Sequence, residues 1–392
     1  MKPVIRSLTL KGFRSFISER IDFGRLTFLV GQNGVGKSNL VDALALLQTA
    51  STHPLGQAIE KRGGLDAITY RSKSKGKANG FGLKVELGGP GISAAHYSFE
   101  VRPHGEHDFE VTNEQCHILS KGGEFWFHRD RKSFTSNVDV QPALDPQFLA
   151  FPVVGGTKQF LPIHRILTRM TVYKMDVEPL RRSRKAGAQD RLASDWSNAA
   201  NVLQDLAEKS PYAVERIGEF LSSLAPANLR VQPRVQAGMV SLEFAQDRSD
   251  GSHVKFNAAN ISDGTLRILG LALAVFQRSN HTLMVFEEPE EKVYPGALSL
   301  VSDLLDGISR KIQVLATTHS PDLLEAKWIA DENIRIVYWE DDASRVSHIG
   351  KASREALKER LMSAGELLRS SVLDRPPLHR ERPDYSLFGS LP

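Results

Sequence analysis

A glycine-rich segment near residue 31 has the residue types and spacing that bind phosphate groups. It reads Gly31-Gln32-Asn33-Gly34-Val35-Gly36-Lys37-Ser38. Glycines let backbone N–H groups turn inward around the phosphates, and a following helix adds the positive end of its dipole. We expect Lys37 to reach the β- and γ-phosphates, as a binding and catalytic residue, and the Ser38 hydroxyl to hold Mg2+. The residues expected to bind nucleotide here are Asn33, Gly34, Val35, Gly36, Lys37, Ser38 and Asn39.

A serine and a glycine before a second apolar stretch form another candidate phosphate site. The sequence Ile261-Ser262-Asp263-Gly264-Thr265 precedes a run with Leu266, Leu269, Leu273 and Phe276 on one helical face. Taken alone, Ser262 is most simply a helix N-cap. A serine hydroxyl and the N–H group of Gly264 at a helix N-terminus can also bind phosphate. That phosphate need not belong to the nucleotide of the same subunit.

Two carboxylates follow an apolar stretch near residue 287. The segment Thr282-Leu283-Met284-Val285-Phe286-Glu287-Glu288-Pro289-Glu290 predicts a buried strand that ends in acids. We expect Glu287 to bind the Mg2+ shell, through water, and Glu288 to orient or deprotonate the attacking water. The alternative is a solvated acidic turn after a core strand. The phosphate-binding segment earlier in the chain favours the catalytic interpretation.

A histidine follows the next predicted strand. The strand is Ile312–Thr318, and His319-Ser320-Pro321-Asp322 comes directly after it. At that position His319 can sense or polarise the γ-phosphate. A lone histidine in a loop is usually only a polar residue, so this role depends on its position beside the other motifs.

These residues require elements that place them at the ends of strands and the starts of helices. Leu26-Thr27-Phe28-Leu29-Val30 is an apolar run typical of a buried strand, and Leu40, Val41, Leu44 and Leu47 share one helical face. Strand, glycine loop and helix therefore occur in the order that phosphate binding needs. The weaker alternative is a glycine-rich strand-to-helix turn with an exposed lysine.

The ordered motifs resemble the ABC-type ATPase heads of the SMC, RecF and OLD (overcoming lysogenization defect) group. The opening Leu10-Lys11-Gly12-Phe13-Arg14-Ser15-Phe16 is also similar to that group, in which the arginine and serine approach the nucleotide. The resemblance runs from residue 1 to about Gly365-Glu366-Leu367-Leu368 and is nearest to compact bacterial AAA ATPases related to RecF and OLD proteins. It implies an α/β fold: an ABC-type P-loop NTPase head with an antiparallel β meander and a helical insertion between the phosphate loop and the Ser262 motif.

The resemblance also implies an activity and an assembly. Such heads hydrolyse ATP with Mg2+ and sandwich two ATPs between two subunits, each of which contributes its signature serine to the other's nucleotide. Ser262 and Gly264 would then contact the ATP of the partner subunit, while Arg14 and Ser15 would contact the chain's own. A homodimer, or a higher oligomer, is expected.

The sequence departs from the group at three places. Glu287 stands where the group usually has Asp, so its metal contact differs by one methylene. The segment Glu291-Lys292-Val293-Tyr294-Pro295 replaces the usual turn followed by His-Pro. A Q-loop glutamine is not assigned, because Gln48, Gln57 and Gln159 all satisfy the motif order.

Length and composition agree with a soluble, cytoplasmic protein. The longest apolar run, Leu266–Phe276, is too short for a bilayer, and the N-terminus lacks the apolar core of a signal peptide, so a cytoplasmic protein without a membrane partner is expected. A single cysteine, Cys116, excludes an intrachain disulfide framework. The histidines lack HExxH spacing. ATP and Mg2+ are the cofactors implied.

The charge distribution provides weaker evidence about nucleic-acid binding. The net charge is +4, from 50 basic and 46 acidic side chains, which is too balanced to indicate DNA binding. Two local basic clusters could contact DNA phosphates. Two solvated loops are the favoured alternative for either cluster alone. The clusters are Arg71, Lys73, Lys75 and Lys77, and Arg181, Arg182, Arg184, Lys185 and Arg191.

Periodicity divides the chain into four segments: 1–175, an N-terminal ATPase lobe with a β meander; 176–235, a helical insertion; 236–374, a C-terminal lobe; and 375–392, a flexible tail. The long heptad pattern of a coiled coil is missing. The predicted elements are strands Phe81–Leu87, His96–Val101, Phe109–Val111, Glu124–His128 and Met239–Phe244, helices Ser194–Glu208 and Pro211–Leu224, and a hairpin of Asn333–Glu340 with Arg345–Ile349.

The expected function is an ATP-gated dimeric clamp or sensor in bacterial anti-phage defence. It would act on DNA or on a separately encoded effector, a nuclease or a toxin. OLD nucleases carry a C-terminal Toprim domain, for which there is no room after Asp341, so the chain is expected to cut no DNA itself. The alternatives are a stand-alone RecF-like repair or replication ATPase and a slow-turnover regulatory scaffold. A transporter subunit is disfavoured because the Leu-Ser-Gly-Gly-Gln signature is missing.

Overall fold

The computed structural model describes residues 4–71, 80–105, 108–143, 145–223, 228–376 and 386–388. The strands are β1 (Ile5–Phe13), β2 (Phe16–Asp22), β3 (Leu26–Val30), β4 (Phe81–Gly89), β5 (Ile92–His104), β6 (Asp108–Ser120), β7 (Gly123–Asp130), β8 (Phe134–Ser136), β9 (Met170–Tyr173), β10 (Arg184–Lys185), β11 (Leu229–Gln236), β12 (Met239–Asp247), β13 (His253–Asn257), β14 (Leu283–Glu287), β15 (Gln313–Thr318), β16 (Ile334–Glu340) and β17 (Ala343–Ser347).

The helices lie between and after these strands. They are α1 (Lys37–Ala50), α2 (Leu55–Glu60), α3 (Leu65–Ile68), α4 (Phe151–Val154), α5 (Leu161–Thr168), α6 (Ala199–Lys209), α7 (Pro211–Ser222), α8 (Asp263–Phe276), α9 (Leu298–Ser309), α10 (Lys351–Lys358) and α11 (Ala364–Arg369). Among the helices of the described ranges, none has both the length and the apolar character needed to cross a membrane.

The chain divides into two compact units, each built from separate stretches of sequence. Unit 1 contains residues 1–171, 331–355 and 374–392, and unit 2 contains residues 172–330 and 356–373. The functional division into 1–175, 176–235, 236–374 and 375–392 remains a prediction. Most of segment 375–392 lies outside the described residues.

The larger sheet of unit 1 is antiparallel and has the strand order β2-β1-β4-β5-β6-β7-β8. Alternate residues of its strands enter the core, and Leu8, Leu83 and Phe99 are fully buried. This alternation is the period expected for strands with one covered face. The predicted β meander is therefore confirmed. Its strands are longer than predicted, because the pairing of β5 with β6 continues from Ile92 opposite Ser120 to His104 opposite Asp108.

A second group of strands in unit 1 holds the phosphate-binding segment. Strand β16 pairs parallel with β3 and antiparallel with β17, which confirms the predicted hairpin. All five residues of β3 are buried, as the apolar run predicted. The phosphate-binding segment follows β3, and helix α1 begins at Lys37 with Leu40, Val41, Leu44 and Leu47 buried.

Unit 2 contains the strands that carry the acids and the histidine. Strands β14 and β15 pair in parallel, with Glu287 opposite Thr317. Parallel strands that are covered on both faces are mostly apolar, and both strands are almost wholly buried. Helix α8 is buried from Leu266 to Ala274. The residues after β14 and β15 consequently leave the same edge of the paired strands.

The remainder of unit 2 differs in part from the prediction. Helix α6 begins at Ala199 rather than at Ser194, because Trp196 has a left-handed backbone (φ 59°) that a continuous helix cannot contain. Helix α7 follows the predicted range to Ser222, and Leu224 lies outside the described residues. The segment 176–235 also holds strands β10 and most of β11, which pair with β12 and which helical periodicity did not predict.

Candidate functional site

The phosphate-binding segment has the backbone that its glycines predict. Gly34 and Gly36 have φ values of 81° and 107°, in the region that favours glycine. A Cβ atom on Gly36 would lie 2.2 Å from the Ser344 side-chain oxygen, and one on Gly31 would lie 2.1 Å from the Val337 carbonyl oxygen. Glycine is therefore required at both positions by close neighbours from the β16–β17 hairpin, and at Gly36 also by its backbone conformation.

Lys37 is held inside this segment. Its Nζ donates to the carbonyl oxygens of Gly31 at 2.8 Å and Gln32 at 2.9 Å, and only 5% of the residue is exposed. No side chain caps the N-terminus of α1, and Asn33, Gly34 and Ser38 are exposed. Backbone N–H groups and one buried ammonium are a donor set that fits a polyphosphate, with the Ser38 hydroxyl open to a Mg2+ ion.

Arg14, Ser15 and Asn39 meet next to this segment in unit 1. The Asn39 amide donates to Ser15 Oγ at 2.7 Å, and the Ser344 hydroxyl lies 2.6 Å from the same oxygen. The Arg14 guanidinium is 2.7 Å from the Asp42 carboxylate, which also binds Arg62. Sequence analysis missed Ser344, because it lies 329 residues from Ser15.

A cavity of about 600 Å³ lies against these residues. Arg14, Ser15 and Asn39 line one side, and the half-exposed Trp339 and Tyr70 line another. Aromatic and polar groups around a concave space are typical of small-molecule sites. The cavity thus extends from residues that were predicted to bind nucleotide.

In unit 2, the structure brings Glu288 and His319 together. The Glu288 Oε1 and His319 Nδ1 atoms are 3.2 Å apart, and both side chains remain partly exposed. The backbone of Glu288 is left-handed (φ 45°), and its N–H donates to the backbone and side-chain oxygens of Thr317. Glu287, at the end of β14, is half-buried. A carboxylate and an imidazole in contact can orient a water molecule and move a proton.

Four further residues of unit 2 surround this pair. Arg267 donates to the Glu288 carbonyl oxygen at 2.9 Å and lies 3.2 Å from the Glu291 carboxylate. The Thr318 hydroxyl donates to Glu290 Oε1 at 2.5 Å. Burial raises the pKa of Glu290, despite that hydrogen bond. Sequence analysis gave none of these residues a role, although the acid at position 290 belongs to the motif already noted.

The Ser262 motif has the cap geometry that the sequence predicts. Ser262 is exposed, its Oγ accepts from the Thr265 N–H at 3.2 Å, and α8 begins at Asp263. Lys292 and Arg181 hold the pKa of Asp263 below its usual value. A Cβ atom on Gly264 would lie 2.7 Å from the Lys292 carbonyl oxygen. The motif thus packs directly against the segment that departs from the related group.

Within the predicted basic clusters, Arg181 already has partners in the fold. Arg181 binds Asp263 and the carbonyl oxygens of Ala258 and Ile261, so its charge is already used within unit 2. Its neighbours Arg182, Arg184 and Lys185 are exposed. In the other cluster, Arg71 lies 3.7 Å from Asp66, and Lys73, Lys75 and Lys77 lie outside the described residues.

Two other residues considered from the sequence are Gln48 and Cys116. Gln48 lies in α1 and donates to the Met170 carbonyl oxygen at 2.9 Å, and Cys116 is buried. In the part of the chain that the structure describes, no three or more His, Cys, Asp or Glu residues are grouped as metal ligands would be.

Comparisons with known proteins agree with this geometry. A family model described as "AAA domain" matches residues 7–120, and one described as "AAA domain, putative AbiEii toxin, Type IV TA system" matches residues 215–325. A solved SMC head bound to the C-winged helix domain of ScpA has a TM-score of 0.56 with 17% identity, over 90% of this chain and 99% of that one. This chain has the fold of the ABC-type ATPase heads of SMC proteins. The predicted fold class is confirmed.

Curated relatives resemble shorter parts of this ATPase head. An "ATP/GTP phosphatase" of Helicobacter pylori is 38% identical over 74 residues, which are 18% of this chain and 20% of that protein. The RecF protein of Synechocystis, a "DNA replication and repair protein", is 32% identical over 113 residues, 29% of this chain and 26% of RecF. The chain therefore spans only about a fifth to a quarter of these relatives, and the names support an ATPase.

Proposed function

We propose that this ATPase head binds Mg2+–ATP at residues 31–39 and hydrolyses it. The main observation in support is the buried Lys37 ammonium at the N-terminus of α1. It donates to the carbonyl oxygens of Gly31 and Gln32, and no side chain caps this helix end. A buried ammonium that donates to carbonyl oxygens gains further stabilisation when an anion replaces or joins them. Asn33, Gly34, Val35, Gly36 and Asn39 complete the phosphate site, and Arg14 and Ser15 extend it.

We assign the chemical step to the Glu288–His319 pair. Glu288 orients or deprotonates the attacking water, and His319 polarises the γ-phosphate. Ser38 and Glu287 hold Mg2+, whose charge neutralises the phosphate oxygens. The left-handed backbone of Glu288, maintained by Thr317 and Arg267, supports this assignment, because strained backbone persists where neighbouring contacts fix a functional side chain.

The active form is proposed to be a homodimer with two ATPs at the subunit interface. Ser262 and Gly264 of each subunit contact the nucleotide of the other. Two observations support this: Ser262 is exposed, and Ser262 and Gly264 lie at the N-terminus of the 14-residue helix α8, where the helix dipole favours phosphate. Binding of ATP then closes the dimer, and hydrolysis opens it.

The proposed role of this cycle is an ATP-gated clamp or sensor in bacterial anti-phage defence. The similarity of residues 215–325 to the AbiEii toxin family model favours defence, with DNA or a separately encoded nuclease or toxin as the partner. The similarity to RecF favours a second candidate, a stand-alone DNA repair or replication ATPase. Hydrolysis stimulated by DNA alone favours the second candidate, and stimulation only by a cognate effector favours the first.

The enzymatic proposal is tested with two variants that fail at different steps. We expect Lys37→Ala to lose ATP binding, because its charge binds the ground-state phosphates. We expect Glu288→Gln to retain binding but to lose turnover by about 100-fold or more, because it acts on the water during reaction. Calorimetric ATP titration and phosphate release measure the two effects. Near wild-type turnover by Glu288→Gln would show that another residue is the base.

A further inference from the structure

The acid at position 290 contributes to no step proposed so far, yet the fold buries it almost completely. Only 7% of Glu290 is exposed. Its Oε1 accepts the Thr318 hydroxyl at 2.5 Å, whereas its Oε2 is buried without a hydrogen-bond partner among the described residues. A buried carboxylate oxygen without a partner costs free energy. A purely structural position would be better served by an apolar side chain, so this cost calls for a functional reason.

The partner of Glu290 lies directly before His319. The Thr318 hydroxyl donates a hydrogen bond to Glu290. Its oxygen also accepts a hydrogen bond from the Ser320 N–H at 3.0 Å. The hydroxyl therefore joins the buried acid to the backbone on the far side of His319. Because both flanking residues are fixed in this way, the backbone that carries the imidazole has little freedom to move.

A parallel set of contacts fixes the other half of the pair. The Glu288 N–H donates to Thr317, and Glu288 Oε1 lies 3.2 Å from His319 Nδ1. The loops after β14 and β15 are thus joined three times, through Thr317, Thr318 and His319. Of these three connections, only the one to Glu290 is buried on both sides.

We propose that Glu290 is a positioning residue that holds the 318–320 loop, and through it His319, against Glu288. The proposal rests on the assigned role of His319 in hydrolysis. Glu290 acts as a hydrogen-bond acceptor for Thr318. Displacing a catalytic group by about 1 Å can cost 100-fold in rate, so loss of the acceptor should lower kcat and leave KM unchanged.

The test compares seven variants in steady-state ATP hydrolysis. We expect Glu290→Ala and Thr318→Val to lower kcat by about 10-fold to 100-fold with unchanged KM, and their combination to be no worse than either alone. Glu290→Gln keeps the acceptor oxygen, so it should retain most of the wild-type turnover. In a His319→Ala background, Glu290→Ala should have no further effect. Asp205→Asn, which alters another buried acid of unit 2, is the matched control and should leave kcat unchanged.

Hydrogen exchange gives a readout that does not depend on catalysis. Without nucleotide, the Ser320 amide should exchange faster in Glu290→Ala and in Thr318→Val than in the wild type, with the rest of unit 2 unchanged. Unchanged exchange, or an additional loss of kcat in the His319→Ala background, overturns the proposal. If His319→Ala hydrolyses ATP normally, the assigned role of His319 fails, and the exchange result still decides whether Glu290 holds the loop.

Discussion

Individual charged side chains in this ATPase head are fixed by backbone carbonyl oxygens. Lys37 donates to two of them and Arg267 to one. One terminal nitrogen of Arg181 donates to the carbonyl oxygens of Ala258 and Ile261 at 2.8 Å and 3.0 Å, and the other terminal nitrogen binds Asp263. Arginine can bridge several acceptors at once because its guanidinium has five donors in one plane. Arg181 therefore organises the turn from which Ser262 projects.

The contacts of Arg181 predict a defect in hydrolysis rather than in DNA binding. We expect Arg181→Ala to lower the free energy of unfolding by about 1–3 kcal/mol, since it removes charged hydrogen bonds from a mostly buried position. Turnover should fall about 10-fold or more, because the Ser262 turn loses its support. Binding of ATP to the single subunit should stay unchanged, because Lys37 is untouched. Urea unfolding, phosphate release and calorimetry measure the three quantities.

The neighbour Arg182 provides the control for this prediction. It is exposed and carries the same charge change. We expect Arg182→Ala to leave unfolding and turnover at the wild-type level. Equal effects of the two substitutions would mean that net charge, and not the contacts of Arg181, sets the activity.

At the scale of elements, the antiparallel sheet of unit 1 carries a histidine that is neutral near pH 7. His96 in β5 lies opposite Glu86 in β4 and His117 in β6, and the two imidazole centres are 5.5 Å apart. Burial, with Lys84 and His117 nearby, lowers the pKa of His96 to about 4. In the unfolded chain a histidine titrates near pH 6.5. The unfolded state therefore binds more protons than the folded state between these two pH values.

This difference predicts that acid destabilises the sheet through His96. The folded-state pKa is depressed, so stability is fully present above about pH 6.5 and falls as the pH drops toward 4. Between pH 7 and pH 5 we expect the wild type to lose up to about 2 kcal/mol more than His96→Gln. Urea unfolding at the two pH values measures this. His53→Gln, at an exposed position of the same unit, should behave like the wild type; identical pH dependence in His96→Gln would refute the assignment.

At the scale of the whole molecule, the proposal requires two subunits for one reaction. The phosphate segment and Ser262 would act on different nucleotides, so two defective chains can complement each other. In a dimer of Lys37→Ala with Ser262→Arg, one site combines an intact Lys37 with an intact Ser262. The other site has both defects.

Mixing these two variants should therefore restore activity that neither has alone. With random pairing, we expect about a quarter of wild-type turnover, since half of the dimers carry one working site of two. Turnover should also rise with protein concentration through the dimer dissociation constant. The control adds the Lys37→Ala/Ser262→Arg double variant to either single variant and should restore nothing. Wild-type turnover by either single variant would rule out the composite site.

Sequence by itself determined the features that depend on neighbouring residues. The strand-loop-helix around Lys37, the cap at Ser262 and the buried strands before Glu288 and His319 follow from short apolar runs, glycine positions and capping chemistry, all of which act within a few residues. Their order was sufficient to predict an ABC-type ATPase head, which the comparisons confirm.

Tertiary structure alone decided which distant residues surround these motifs. Ser344 beside Ser15, Arg181 on Asp263 and Thr318 on Glu290 join residues separated by 329, 82 and 28 positions. Such contacts depend on strand register and on how helices pack. Within a strand, one residue of register shift turns every side chain to the opposite face. The sequence pattern is compatible with many such pairings, and only the folded chain selects one.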